Sequence, residues 1–255
     1  MLHHLTLITG ASRGLGAAMA ARRVRDGHHV IGISRQASAE LAASTALAAK
    51  SGAKLTQWKL DLAEPEAAAK HLATWLAAHD GKVYATVTLI NNAGVVTTPG
   101  PLEQTPLGEA ARGLRVGLEA AVLLSAAFLQ GTAGWPGHRK ILHISSGLGR
   151  RAMAGSAVYC AAKAGMDHLA RALALEQAAL TNGAHVVSLA PGIIDTDMQV
   201  QLRGADPAAF PERERFAQFK SQGQLDSPDT AAAKVLAYLD RADFGSNPVA
   251  DVRDP

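Results

Sequence analysis

Tyr159 and Lys163 are four residues apart in VYCAAKAG, a spacing that stacks two side chains on one face of a helix. A phenol ionises near pH ~10 in isolation, and a neighbouring ammonium lowers that value, bringing the hydroxyl closer to proton exchange at neutral pH. Ser146 stands thirteen residues before Tyr159, at the end of the β-type run KILHISS, so a strand end and the following helix can carry both hydroxyls to one oxygen atom. As a bare string YxxxK describes a surface pair equally well. Ser146 lies in SSGLG rather than a GxSxG elbow, which argues against a serine hydrolase. Cys160 has no histidine partner in its motif and reads as a packed small side chain. The adjacent pairs His3-His4 and His28-His29 point apart on strands or turns, so no metal site is expected.

A second constellation follows the first strand: Thr9-Gly10-Ala11-Ser12-Arg13-Gly14-Leu15-Gly16, a glycine-rich turn opening a helical run. Such a turn lets backbone N–H groups approach a pyrophosphate and aims a helix N-terminus at its charge; a turn that only tightens strand-to-helix packing reads the same. At the end of the second strand, where a carboxylate would bind the 2′-hydroxyl of NAD, the chain has Ile33-Ser34-Arg35. Arg35 and Arg13 can both face a 2′-phosphate, which points to NADP(H). Asp61-Leu62 closes the third strand and Asn91-Asn92-Ala93-Gly94 the fourth, at the edge where the adenosine half would lie. Asp61 reads equally as a cap for the helix beginning near Pro65.

The elements that must position these residues alternate. β-type runs LTLITG, HVIGIS, LTQWKLDL, TVTLINNAG, KILHISS and HVVSLAPG are separated by helical tracts at 14–26, 37–50, 64–79, 107–130 and 156–181. That alternation predicts an α/β, Rossmann-type doubly wound parallel sheet of about seven strands with helices on both faces. Residues 1–255 read as one domain, with a candidate substrate lid at 195–228, where the strand pattern lapses just beyond a strand end.

Of 255 residues 48% are hydrophobic and 18% charged, enough apolar side chain for a large core. A single cysteine excludes an internal disulfide and fits a reducing compartment. The N-terminus has no signal-peptide pattern and no uninterrupted apolar run approaches a membrane span, so a cytoplasmic protein without a membrane partner is expected. The net charge is only +3, and its excess lies in residues 1–35, which hold five arginines against Asp26 alone. Without a Lys/Arg block or interleaved aromatics, nucleic acid is not an expected partner.

Taken in order, TGASRGLG, DL, NNAG, ISS, YCAAK and PGIIDT resemble the short-chain dehydrogenase/reductase family over essentially the whole chain. The resemblance implies an NADPH-dependent oxidoreductase in which Ser146 hydrogen-bonds the substrate carbonyl, with Ser145 beside it. It implies that Tyr159 donates the proton and that Lys163 holds the nicotinamide ribose while lowering the tyrosine pKa. It also implies cofactor contacts from Gly10, Ser12, Arg13, Gly14, Leu15, Gly16, Arg35, Asp61, Leu62, Asn92, Ala93 and Gly94. Pro191, Gly192, Ile194, Thr196 and Met198 would lie over the nicotinamide, Gly192 also touching substrate. Within the family the chain is most similar to sepiapterin reductases and bacterial diketone reductases, where the late aspartate, here Asp251, would anchor a pterin ring; a solvated tail residue is the other reading of Asp251.

The chain departs from the family at one point. Many members carry an asparagine in the long helix before KILHISS that orders a water next to the lysine; the matching position in RVGLEAAVLL is Gly117. Either a water fills the gap or another side chain substitutes, and an NADPH-binding regulator impaired in catalysis becomes the alternative to a ketone or diketone reductase. The family's habit of pairing through the helices at 107–130 and 156–181 implies a homodimer or homotetramer.

Overall fold

The computed structural model describes residues 3–48 and 52–254. Seven parallel strands form one sheet in the order β3-β2-β1-β4-β5-β6-β7: β1 (His3–Thr9), β2 (His29–Ser34), β3 (Lys54–Lys59), β4 (Tyr84–Asn91), β5 (His138–Ile144), β6 (His185–Ala190) and β7 (Val249–Asp251). Alternate side chains sort the core into two layers. Leu5, Leu7, Ile33, Leu89 and Ile141 pack against α3 (Pro65–Ala77), α5 (Ala120–Gly131) and α6 (Ala157–Ala178). Ile8, Val30, Ile90, Leu142 and Val187 pack on the other face, against α1 (Gly14–Arg25), α2 (Ala39–Ala48) and α9 (Pro228–Leu239). The strand order reverses between β1 and β4, which opens a crevice at their carboxyl ends.

Three features differ from the sequence reading. The tract at 107–130 is broken into α4 (Leu107–Leu114), a π-helical turn Arg115–Glu119 and α5. Gly117 sits in that turn, where a Cβ would stand 3.1 Å from the Ala162 Cβ of α6. Leu107–Gly131 is long and apolar enough to cross a membrane by length and composition, but half of its apolar window is buried against the rest of the chain. The third strand ends at Lys59, which leaves Asp61-Leu62 in the following turn. Finally, Val249–Asp251 is a strand paired with β6, so Asp251 lies opposite Ala190 at a sheet edge and is 6% exposed.

Residues 195–228 carry α7 (Asp197–Arg203) and α8 (Arg213–Ser221). Leu202, Phe210 and Phe216 bury against Met153 in a cluster of their own, and Gly155 turns at φ +72° with Phe210 close beside it. The segment is thereby packed onto the loop that precedes α6.

Candidate active site

Every residue expected at cofactor or substrate lines one cavity of about 1230 Å³ along the carboxyl ends of the strands. At its floor Gly10 turns at φ +67° and donates from its backbone N–H to the Ile33 carbonyl at 2.8 Å. Gly16 begins the body of α1 so near this turn that a Cβ would meet the Gly10 oxygen at 2.2 Å. Asn92 holds the turn in place: its amide donates to the Thr9 carbonyl at 2.9 Å, and the backbone N–H groups of Asn92 and Ala93 donate to the Thr9 hydroxyl. The α1 N-terminus faces the cavity with no acidic residue in its first turn, a cradle that fits a pyrophosphate.

The two arginines of the sequence reading part company. Arg13 is ion-paired with Asp197 at the start of α7, whereas Arg35 has no carboxylate within ion-pairing distance among the described residues and acts only through its charge on Asp61. Asp61 accepts from the Ala63 backbone N–H at 3.0 Å and from Arg112 at 3.2 Å, and both hold its carboxyl below the usual range. Its cap is on its own turn; the N-cap position of α3 is Glu64, which makes no side-chain cap.

At the other end Ser146 accepts from the Leu148 backbone N–H, and its side chain stands near enough to the Tyr159 hydroxyl to favour its ionised form. Lys163 lies under the ring, its Nζ 5.6 Å from the centroid, donating to the Ile144 carbonyl at 2.6 Å. Burial pushes the Tyr159 hydroxyl up to about 12, opposed by the Ser146 side chain, and pulls Lys163 down to about 8, opposed by Asp167. The expected lowering of the tyrosine is therefore not present in the protein alone. Desolvation dominates, and the ammonium is turned to a carbonyl.

Ser145 is 3% exposed and donates to the buried Asp167 at 2.6 Å, so its hydroxyl serves the interior even though the residue borders the cavity. Asp251 is held by Arg253 through paired hydrogen bonds of 2.7 and 2.6 Å. Several residues here carry no sequence motif. Asp167 also accepts from Ser188 at 2.7 Å and pairs with Arg150 at 3.4 Å, joining β5, β6 and α6. His143 and Asn91, opposite each other on β5 and β4, hydrogen-bond at 3.2 Å beside Ser125. His143 is fully buried and held down to about 4, by burial first and then by the Lys163 charge. An inward position on β5 is the one signal for His143, whereas Asn91 opens the NNAG motif.

A family model described as short chain dehydrogenase matches residues 4–206. Benzil reductase ((S)-benzoin forming) of Bacillus subtilis is 35% identical over 237 residues, 93% of each chain. Sepiapterin reductase of Meriones unguiculatus is 30% identical, covering 97% of this chain and 95% of that one. A metagenomic short-chain oxidoreductase solved in complex with NADP is 27% identical with a TM-score of 0.69, covering 97% of this chain and 94% of that one.

Proposed function

The chain belongs to the short-chain dehydrogenase family, and from that premise we propose that it reduces a ketone or diketone carbonyl to an alcohol with NADPH. The observation that carries this reading is the neighbouring Ser146 and Tyr159 side chains on the wall of a cavity whose far half is a glycine cradle. Two hydroxyls so placed can both turn to one carbonyl oxygen. Ser146 orients and polarises it, and Tyr159, still protonated across the physiological range, gives it the proton. When bound, NADPH supplies the hydride.

Gly10, Ser12, Gly14, Leu15 and Gly16 would hold the pyrophosphate, and Arg35 the 2′-phosphate. Asp61 and Leu62, with Asn92, Ala93 and Gly94, would border the adenosine half. Lys163 would take the nicotinamide ribose, and Pro191, Gly192, Ile194, Thr196 and Met198 the carboxamide side. The NADP complex of a family relative supports the choice of cofactor. Residues 195–228 act as the substrate lid of a single domain.

Between the two named relatives, a diketone is favoured over a pterin by Asp251. The Arg253 guanidinium presents to that carboxylate the paired N–H groups that an aminopyrimidine edge would present, so a pterin would have to displace it. The apolar side chains Met153, Leu202 and Phe216 suit an aromatic substrate. We also propose a cytoplasmic homodimer or homotetramer, supported by exposed Val122 on α5 and Leu175 on α6. Purified protein mixed with NADPH and benzil should consume the cofactor and form benzoin; no oxidation with any ketone or 1,2-diketone would overturn the reading.

A further inference from the structure

Six arginines and five carboxylates line the cavity. Four of the arginines are paired: Arg13 with Asp197, Arg112 with Asp61, Arg215 with Glu212 and Arg253 with Asp251. The fifth carboxylate, Asp195, is held by Lys220 and Arg203. Among the described residues this leaves Arg35 and Arg151 without a contact ion pair, one at each end of the cavity, Arg35 reaching Asp61 only through its charge. Arg35, beyond β2, is the residue assigned above to a phosphate.

Arg151 is at the substrate end. Its backbone N–H donates to the Gly147 carbonyl at 3.1 Å, and its Nε lies 3.9 Å from where a Cβ on Gly147 would be, one residue from Ser146. The buried Asp167 is not available to it, because Ser145, Ser188 and the neighbouring Arg150 already fill that carboxylate. A guanidinium near Ser146, with Asp167 engaged by other groups, offers paired donors to an anion brought by the substrate.

We propose that Arg151 forms an anion subsite and that the preferred substrate is a 2-oxo acid with an apolar or aromatic remainder, the carboxylate on Arg151 and the remainder against Met153 and Phe216. Hydride from NADPH would form the new C–H bond, Tyr159 protonates the oxygen and regains a proton from solvent, and the products are a 2-hydroxy acid and NADP⁺ with the carboxylate unchanged. The inference rests on the carbonyl-reductase reading and deepens it.

The test compares phenylglyoxylate with its methyl ester, which carry the same ketone, and includes benzil. Wild type should favour the acid over the ester in kcat/KM by about 10-fold or more, and Arg151→Gln should lower that ratio roughly 10- to 100-fold, with Arg151→Lys recovering part of it. Calorimetric titration of mandelate, the product anion, into the NADP⁺ complex should weaken in parallel. Reduction of benzil and ester with no preference for the acid, or a ratio unchanged in Arg151→Gln, overturns the subsite alone. No oxidation of NADPH by any of the three overturns the reductase reading, and the subsite falls with it.

Discussion

The Lys163 ammonium stands 5.6 Å from the centre of the Tyr159 ring and donates to the Ile144 carbonyl at 2.6 Å. A lysine with 3% exposure carries its charge against the cost of desolvation, which is why its pKa falls to about 8 from 10.5. Between those two values the unfolded chain binds the proton that the folded chain has released, so stability rises with pH across that window. Below pH 8 the full cost of the buried charge is present. Lys163→Met should therefore raise Tm at pH 7 by about 3 °C or more, with the gain shrinking from pH 8 to 10.5, while reduction is lost. Thermal melts over that pH range check it. In wild type, kcat/KM for reduction should decline as pH rises through about 8, where the charge is lost.

Arg35 faces the cavity without a contact ion pair, whereas Arg13 is committed to Asp197. Arg35→Ala should cut the NADPH-to-NADH ratio of kcat/KM by roughly 10- to 100-fold, the worth of a charge-assisted hydrogen bond. Arg13→Ala should change it less. Initial rates with the two cofactors decide this, and equal effects of both variants would place the phosphate elsewhere.

Arg253 occupies the carboxylate that a pterin would need, and it also holds the Asp251 carboxyl below its usual range. Removing it in Arg253→Ala frees that edge. Activity on sepiapterin should then rise relative to benzil by about 10-fold, in line with one charged hydrogen-bond pair no longer to be displaced. Parallel assays of the two substrates measure the ratio; a fall would mean that Arg253 itself contacts the substrate.

Much of this site could be read before the fold was known, because its parts are local in sequence. HVIGIS is β2 residue for residue, the glycine turn joins β1 to α1, and Ser146, Tyr159 and Lys163 lie within one strand-to-helix connection. What was not legible depends on distant partners. Val249–Asp251 is too short to show alternation, and pairing with β6 alone makes it a strand. Arg13 and Asp197 are 184 residues apart, so nothing near either predicts that the arginine is taken. The π-helical turn at Gly117 reflects packing against Ala162. The Tyr159 shift took the opposite sign because spacing reports which charges are near but not how much water is excluded.

The central claim, proton donation by Tyr159 to a carbonyl, is tested most directly by Tyr159→Phe with NADPH and benzil, followed for both cofactor oxidation and benzoin formation. The hydroxyl contributes a proton and no packing that phenylalanine lacks, so the variant should bind NADPH as wild type does and lose turnover by about 10²- to 10⁴-fold. Unchanged turnover in the variant, or tight NADPH binding with no turnover in either protein, would contradict the account and favour a cofactor-binding protein without catalysis.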